Sequence, residues 1–244
     1  VDAEMFCHLL LDLGEAENRS AAGRPRDSAT VGLGAGGSTG ARSTFWRAAD
    51  VARAATLPNL LARAALGVVG FNPHAQQGGE AALRLLDEAL DQLPADDTAL
   101  RARVFARLAV DRYMHIFASG LAPFTEDVER DIRTNSDEAI AIARRVGDPA
   151  TLAYVLAMSG LQLMIRTPAE RLELADEAIA QATIADDLEG LCWGLFVKQH
   201  AARDAGDMAM VRATLDAWHR AADQLRLPYF RWAVATHDAG TALR

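Results

Sequence analysis

A glycine-rich stretch near the start of the chain has the spacing of a phosphate-binding loop. Residues 30–45 read TVGLGAGGSTGARSTF and fit G-x-G-x-x-G through Gly32, Gly34 and Gly37. In a dinucleotide-binding unit the glycines follow a strand directly and open a helix that receives the pyrophosphate. Here AAGRPRDSAT precedes the motif, and no strand–helix–strand unit follows it. The dinucleotide-binding interpretation is therefore disfavoured.

A P-loop interpretation of the same stretch fails at a single residue. Gly32 and Gly37 take the two glycine positions and Thr39 the hydroxyl position, but Ser38 stands where the motif needs lysine to reach the terminal phosphates. We therefore predict a flexible Gly/Ser-rich insert at about residues 20–42. One alternative stays open: the backbone amides of residues 36–40, with Arg42, hold an anion at the start of the next helix.

Histidine and cysteine do not form a recognisable catalytic or metal-binding pattern. Cys192 and His200 share one helix face, but eight residues along a helix is about 12 Å, too far for a nucleophile and its base. Cys7 and Cys192 are the two cysteines and fit no redox or metal spacing. The histidines are scattered without H-E-x-x-H spacing; they are His8, His74, His115, His200, His219 and His237.

Paired acids recur along the chain and invite an acid–base interpretation. They occupy the same place in successive copies of a short phrase, which instead favours solvated surface positions. The pairs are Asp87 and Glu88, Asp137 and Glu138, and Asp176 and Glu177. We accordingly predict no catalytic, cofactor-binding or metal-binding residue, no cofactor, and no enzymatic activity in this chain.

Composition restricts the classes of partner. The 244 residues are 50% hydrophobic and carry a net charge of −8, whereas nucleic-acid binding needs a clustered excess of Lys and Arg. We expect no direct nucleic-acid contact. Two unpaired cysteines indicate a reducing, cytoplasmic location. The longest uncharged run, Pro149–Ile165, is interrupted by Ser159, Gly160 and Gln162 and predicts a helix buried in protein rather than a membrane span.

Apolar residues recur at helical spacing throughout, and the helices themselves repeat. The phrase LDEAL at 86–90 returns as SDEAI at 136–140 and ADEAI at 175–179. Breakers such as PADD at 94–97 and GDP at 147–149 start new helices near residues 58, 98, 149, 188 and 228. A period of about forty residues predicts a helical solenoid. The fold class is all-α: an α-α superhelix of about five and a half helical hairpins in a single domain, residues 1–244.

The two helices of each predicted hairpin differ in character. The helix after each breaker is apolar around more of its circumference, as in NLLARAALGVVGF and TLAYVLAMSGLQLMI. We expect it to be sandwiched between neighbours, and its glycines to mark close helix contacts that offset their poor helix propensity. These glycines are Gly67, Gly160, Gly190 and Gly194.

Several phrases resemble tetratricopeptide-like (TPR-like) repeats. EALDQLP, Glu88–Pro94, is similar to the end of a second repeat helix, LDLGEAE around Gly14 to a first helix, and AGDMAMVRATL from Ala205 to the turn between helices. More narrowly, LLLDLGEAENRS, TFWRAADVARAATLPNLLARAALG, LLDEALDQLPADDTALRARVFARLA and AIARRVGDPATLAYVLA resemble the C-terminal helical region of bacterial LuxR-type and adenylyl-cyclase-fused signal-transduction ATPases (STAND-type regulators).

That resemblance implies a ligand- or protein-binding sensor module of a bacterial signalling or transcriptional regulator. A protein partner or small effector would bind in the superhelix groove, beside an adjoining ATPase domain. The competing hypothesis is a fragment of an ATP-binding enzyme, an ATPase or class III nucleotide cyclase, whose catalytic domains lie outside this chain. We also expect a homodimer through an open C-terminal end.

Aromatic residues are concentrated toward the C-terminal end. They serve either as packing between repeats or as anchors for a ligand in the groove, and the sequence leaves both alternatives open. The residues are Trp193, Phe196, Tyr229, Phe230 and Trp232.

Overall fold

The chain folds as an α-α superhelix, which confirms the predicted fold class. The computed structural model describes residues 2–22, 39–70, 79–119 and 125–242. These residues form eleven α-helices, five and a half hairpins, and contain no strand. The helices are α1 Ala3–Ala22, α2 Thr39–Ala54, α3 Pro58–Val69, α4 Gly79–Gln92, α5 Ala99–Ser119, α6 Glu126–Val146, α7 Pro149–Gly160, α8 Pro168–Ile184, α9 Leu188–Asp204, α10 Met208–Leu225 and α11 Pro228–Ala242.

The predicted breakers are where the helices begin. Pro58, Pro149 and Pro228 each occupy the first position of a helix, where a missing N–H costs nothing. Asp148 caps α7 by accepting from the Thr151 amide at 3.0 Å, and Asp187 caps α9 by accepting from the Gly190 amide at 3.0 Å. Local sequence therefore fixes where these helices begin.

The helices form two layers. Each even-numbered helix packs between the two odd-numbered helices that flank it in sequence. Helices two apart contact each other closely in the odd-numbered layer, from α1 through α9, and not in the even-numbered layer of the described residues. Because the odd-numbered helices are closer together, they lie on the inside of the curved row. We call their solvent-facing side the inner surface.

One helix belongs to two hydrophobic cores. Val104 and Leu108 of α5 are buried with side chains from α1 to α4. Ala102, Ala106 and Ala109 on the other side of α5 are buried with side chains from α6 to α11. This confirms the prediction that helices after the breakers are enclosed by neighbours on more than one side.

Close helix contacts occur at the predicted glycines. A Cβ atom built on Gly67 would lie 2.3 Å from the Phe45 ring, and one on Gly160 would lie 2.5 Å from Val197. Gly160 thus lets α7 approach α9 more closely than alanine would allow. The packing gained at such positions offsets the roughly 1 kcal/mol of helix propensity that glycine lacks relative to alanine.

The recurring acid pairs face solvent and bridge neighbouring hairpins. Glu88 of α4 accepts two hydrogen bonds from Arg53 of α2, at 2.6 and 2.7 Å. Four helices further on, Arg144 of α6 donates to Glu177 of α8 at 2.6 Å. The same Arg–Glu bridge therefore recurs along the outer layer. Exposed pairs of this kind contribute little each, about 0–1 kcal/mol.

Large exposed apolar side chains are concentrated on α1 rather than on α11. Met5, Phe6, Leu9 and Leu13 are between 39% and 58% exposed. Met5, Leu9 and Leu13 follow one another at intervals of four residues and, with Phe6, form a stripe along one side of α1. The homodimer expected through the C-terminal end stays a prediction. No helix within the described ranges is long and apolar enough to cross a membrane.

The predicted insert is narrower than about residues 20–42, because α1 continues to Ala22 and α2 already begins at Thr39. The glycine motif through Gly32, Gly34 and Gly37, together with Ser38, lies outside the described residues.

Candidate functional site

Charged side chains on α5 meet the end of α3 in the middle of the superhelix. Arg107 Nε donates to Asp111 Oδ2 at 2.8 Å, and the two side chains are 2% and 13% exposed. Arg107 Nη2 donates to the Val69 carbonyl at 3.0 Å and Nη1 to that of Gly70 at 2.5 Å. The guanidinium thus satisfies carbonyl groups that the last turn of α3 leaves without helical partners.

Helix α7 adds an aromatic side chain beside this ion pair. Tyr154 interacts with Arg107 through its hydroxyl, and burial raises its pKa although Arg107 and Arg103 oppose that rise. The Arg103 guanidinium lies 5.2 Å from the centre of the Tyr154 ring, within range for a cation–π contact. Arg103 Nε also donates to Thr151 Oγ1 at 3.3 Å. Among the described residues, Nη1 and Nη2 of Arg103 have no hydrogen bond.

Helix α9 supplies a carboxylate to the same region. Burial, reinforced by the nearby charge of Asp187, raises the pKa of Glu189 to about 6, against opposing contributions from Trp193, Arg103 and Arg107. The charges of Arg103 and Arg107 both act on the Glu189 carboxylate. We define the inner-face cluster as Arg103, Arg107, Asp111, Tyr154 and Glu189. It combines spare donors on Arg103 with a carboxylate that changes charge close to neutral pH, an arrangement suited to binding a polar ligand.

The raised pKa of Glu189 predicts how the stability of the protein changes with pH. Between about pH 4.5 and 6 the folded protein keeps a proton that the unfolded chain releases, so stability falls as pH rises through this window. We expect Glu189→Gln to raise the free energy of unfolding by about 1–2 kcal/mol at pH 7.5 and to leave it unchanged at pH 4.5. Urea denaturation at both pH values measures the difference.

The control is Glu173→Gln, because Glu173 is exposed on α8. It should leave stability unchanged at both pH values. An equal effect of Glu189→Gln at pH 4.5 and pH 7.5 would contradict the assigned burial of the carboxylate.

A second group of polar side chains is completely enclosed near the end of α7. We define the buried polar cluster as Ser159, Gln162, Arg166, Arg171 and Gln199, each between 0% and 7% exposed. Several of its buried atoms have no hydrogen-bond partner among the described residues. They are Ser159 Oγ, Gln162 Nε2 and Oε1, Arg166 Nε, Arg171 Nε and Nη1, and Gln199 Nε2 and Oε1.

Several contacts tie together the elements that carry these side chains. The Arg166 amide donates to the Gln162 carbonyl at 3.1 Å in the segment between α7 and α8. Arg171 Nη2 donates to Asp204 Oδ2 at 2.6 Å, linking the start of α8 to the end of α9. The Arg171 charge also acts on Tyr113, whose hydroxyl meets the backbone of Leu163 and Met164 in the same segment. The close approach of Gly160 to Val197 brings α9 to this region two residues before Gln199.

Energetics require partners for these atoms. A buried polar group without a hydrogen bond costs about 1–3 kcal/mol, and whole domains are stable by only about 5–15 kcal/mol. Eight such atoms would cancel most or all of that stability. In folded proteins, ordered water or a bound ligand generally completes the hydrogen bonding of such groups.

Cys192 is buried and His200 partly buried on the shared helix α9, and neither has the pKa of an activated nucleophile or base. Burial, with the charges of Glu189 and Asp187, raises the pKa of the Cys192 thiol to about 12. Burial lowers the pKa of His200 to about 4, and its Nδ1 lies 2.9 Å from the Phe196 carbonyl oxygen. Within the described part of the chain, no three His, Cys, Asp or Glu side chains are grouped to hold a metal ion. His74 lies outside that part.

The C-terminal aromatic residues pack between repeats, which decides between the two alternatives left open by the sequence. Trp193, Phe196, Tyr229 and Phe230 are at most 5% exposed, and Trp232 is partly buried. The Trp193 ring on α9 lies 5.1 Å from Phe230 and 5.7 Å from Tyr229, both on α11. These rings join the last two odd-numbered helices.

The anion-binding alternative for residues 36–40 with Arg42 stays a prediction. Residues 36–38 lie outside the described ranges, while Thr39 and Gly40 open α2. Arg42 is partly buried, and burial lowers its pKa.

Neither cluster is predicted from the sequence. The signal for the inner-face cluster is Arg103, Arg107 and Asp111 at intervals of four within the otherwise apolar ARVFARLAVD, since charge on one face of a sandwiched helix needs a buried partner. Gln162 was noted only as an interruption of an apolar run. Gln199 carries no local signal, because it is one polar residue on an amphipathic helix.

Comparison with known proteins adds no assignment. No family model matches this sequence, and no curated protein sequence matches it. The likeness to LuxR-type and cyclase-fused regulators therefore rests on the phrases quoted above.

Proposed function

We propose that this chain is a binding and regulatory module, without catalysis of its own, that holds a small effector or a short segment of a partner protein on its inner surface. The inner-face cluster is the observation that carries this proposal. It draws side chains from three successive odd-numbered helices, so a single ligand there would contact three repeats at once. Proteins built from stacked helical repeats present extended surfaces of this kind to their ligands.

The cluster offers complementary chemistry at its partly exposed positions. Arg103 has spare N–H donors, and its guanidinium contacts the Tyr154 ring. Glu189 offers a carboxylate on the neighbouring repeat. Arg107 is 2% exposed and bonded to α3, so we assign it the role of fixing the surface rather than contacting ligand. Such an arrangement suits a ligand with both acceptors and donors, such as a peptide backbone with a charged side chain.

Ligand contact across three repeats would bias the curvature of the superhelix. A ligand shifts an equilibrium between two arrangements only by the difference between its affinities for them. Bridging α5, α7 and α9 provides such a difference, because the spacing of these helices changes with curvature. An adjoining switch domain, of the ATPase class in the proteins that this sequence resembles, would respond to that change.

An array of short peptides, together with a panel of free amino acids and small polar metabolites, tests the proposal. We expect the purified chain to bind at least one probe, with about tenfold or greater loss of affinity in Arg103→Gln and in Glu189→Gln. Arg84→Gln on α4 is the matched control, since Arg84 is exposed and paired with Glu80 at 2.9 Å. Its affinity should equal that of the wild type.

Small-angle X-ray scattering with the bound probe tests the regulatory part, through a change in the radius of gyration. Binding that survives both inner-face substitutions, or no binding by any probe, would overturn the assignment of the inner surface. The alternative of a fragment of an ATPase or nucleotide cyclase concerns domains beyond these residues, and no contact described above favours it.

A further inference from the structure

We propose that the buried polar cluster is a second binding site, for a small carboxylate enclosed between α7, α8 and α9. This site is separate from the inner-face cluster and goes beyond the proposed function. Its residues are Ser159, Gln162, Arg166, Arg171 and Gln199, on the end of α7, the following segment, α8 and α9.

The unpaired atoms of the cluster are mostly donors. Five nitrogen atoms from two guanidinium groups and two carboxamides lack partners, against two carboxamide oxygens. The Ser159 hydroxyl can donate or accept. The enclosed guest must therefore accept more hydrogen bonds than it donates.

This imbalance favours a carboxylate over water alone. Each water molecule that accepts from these nitrogens also brings two hydrogens, and the cluster has too few acceptors for them. A carboxylate has about four acceptor positions on its two oxygens and no hydrogen to place. A carboxylate that also carries a hydroxyl or a second polar group could serve the carboxamide oxygens.

Charge supports the same conclusion. Arg166 and Arg171 are 5% and 2% exposed in their side chains, while their partners Asp137 and Asp204 are 53% and 47% exposed. Each guanidinium is thus neutralised from its solvent side, and its inner nitrogens have no buried counter-charge. Planar guanidinium groups with free N–H bonds bind carboxylates strongly.

The segment between α7 and α8 carries Gln162 and Arg166 of the cluster. Residues 161–167 are held by turn hydrogen bonds such as Ile165 N to Gln162 O at 3.1 Å, and Met164 in their midst is 61% exposed. Because the cluster side chains are at most 7% exposed, a guest can enter only when the surrounding protein opens locally. We therefore expect slow exchange, and samples should be warmed with ligand before measurement.

Thermal unfolding with acetate, propanoate, succinate and lactate, each compared with chloride at equal ionic strength, tests the proposal. We expect at least one carboxylate to raise the Tm of the wild type by about 3–6 °C beyond chloride. Gln199→Met and Gln162→Met, which keep side-chain volume, should lose most of this shift. Gln224→Met is the matched control, because Gln224 is exposed on α10, and it should keep the shift.

A crystal structure with the stabilising carboxylate then gives the direct answer. Continuous density for the guest against Arg171 and Gln199 is the expected result. Separate water peaks alone, no carboxylate-specific shift, or an equal shift in both methionine variants would each overturn the proposal. Arg103→Gln should keep the carboxylate response, so failure of this site and failure of the inner surface can be told apart.

Discussion

Replacing Asp111 with alanine is expected to lower the free energy of unfolding by about 3–5 kcal/mol. The substitution leaves the Arg107 guanidinium buried, at 2% exposure, without the carboxylate that neutralises it at 2.8 Å. The carbonyl groups of Val69 and Gly70 and the Tyr154 hydroxyl would remain as its hydrogen-bond partners, and these groups are neutral. Urea denaturation followed by circular dichroism measures the loss.

The double variant Arg107→Met with Asp111→Leu should be more stable than Asp111→Ala alone, because it removes both charges and retains apolar volume. Asp91→Ala is the control for loss of an aspartate from an exposed helical position, and we expect a change within about 0.5 kcal/mol. Equal stability of Asp111→Ala and wild type would refute the described ion pair.

Replacing Trp193 with alanine is expected to cost about 3–5 kcal/mol and to loosen the last helix. The indole is 2% exposed and contacts Phe196 on its own helix and two rings on α11. Repeat proteins transmit stability through contacts between neighbours, so the deletion should weaken attachment of α11 first. Hydrogen exchange of backbone amides in α11 should rise more than that in α3.

Trp232→Ala provides the comparison, because Trp232 is partly buried and lies 6.1 Å from Tyr229. We expect a smaller loss from it than from Trp193→Ala. Unchanged stability of Trp193→Ala combined with lost ligand binding would return this residue to the role of a ligand anchor.

The fold could be predicted because its determinants are local. Proline or aspartate at each breaker starts a helix within a few residues, as at Pro149 after Asp148. The spacing of apolar residues then indicates which face of each helix is buried. The repeated phrase then fixes the stacking of hairpins. The end of α1 and the start of α2 could not be predicted to the residue. Nothing in NRSAA compels the first helix to end, and nothing in STGA fixes where the second begins.

The candidate sites could not be predicted because their determinants are distant in sequence. Arg107 meets the Val69 carbonyl across 38 residues, and Arg171 meets Asp204 across 33. Only the placement of one repeat upon the next brings such groups together. The glycine motif is easy to recognise because its residues are contiguous in sequence. Both clusters, in contrast, are assembled from residues that form no recognisable motif on their own.

The double membership of α5 has a consequence for how the molecule melts. Solenoids can come apart piecemeal when adjoining units are weakly joined. Here the single helix α5 separates the two hydrophobic cores, with Leu108 packed in one core and Ala109 in the other. Neither half of the protein can unfold without exposing one buried side of α5. We therefore expect the two halves to unfold in a single cooperative transition. Cleavage of the chain next to α5 should yield two fragments, neither of which folds on its own.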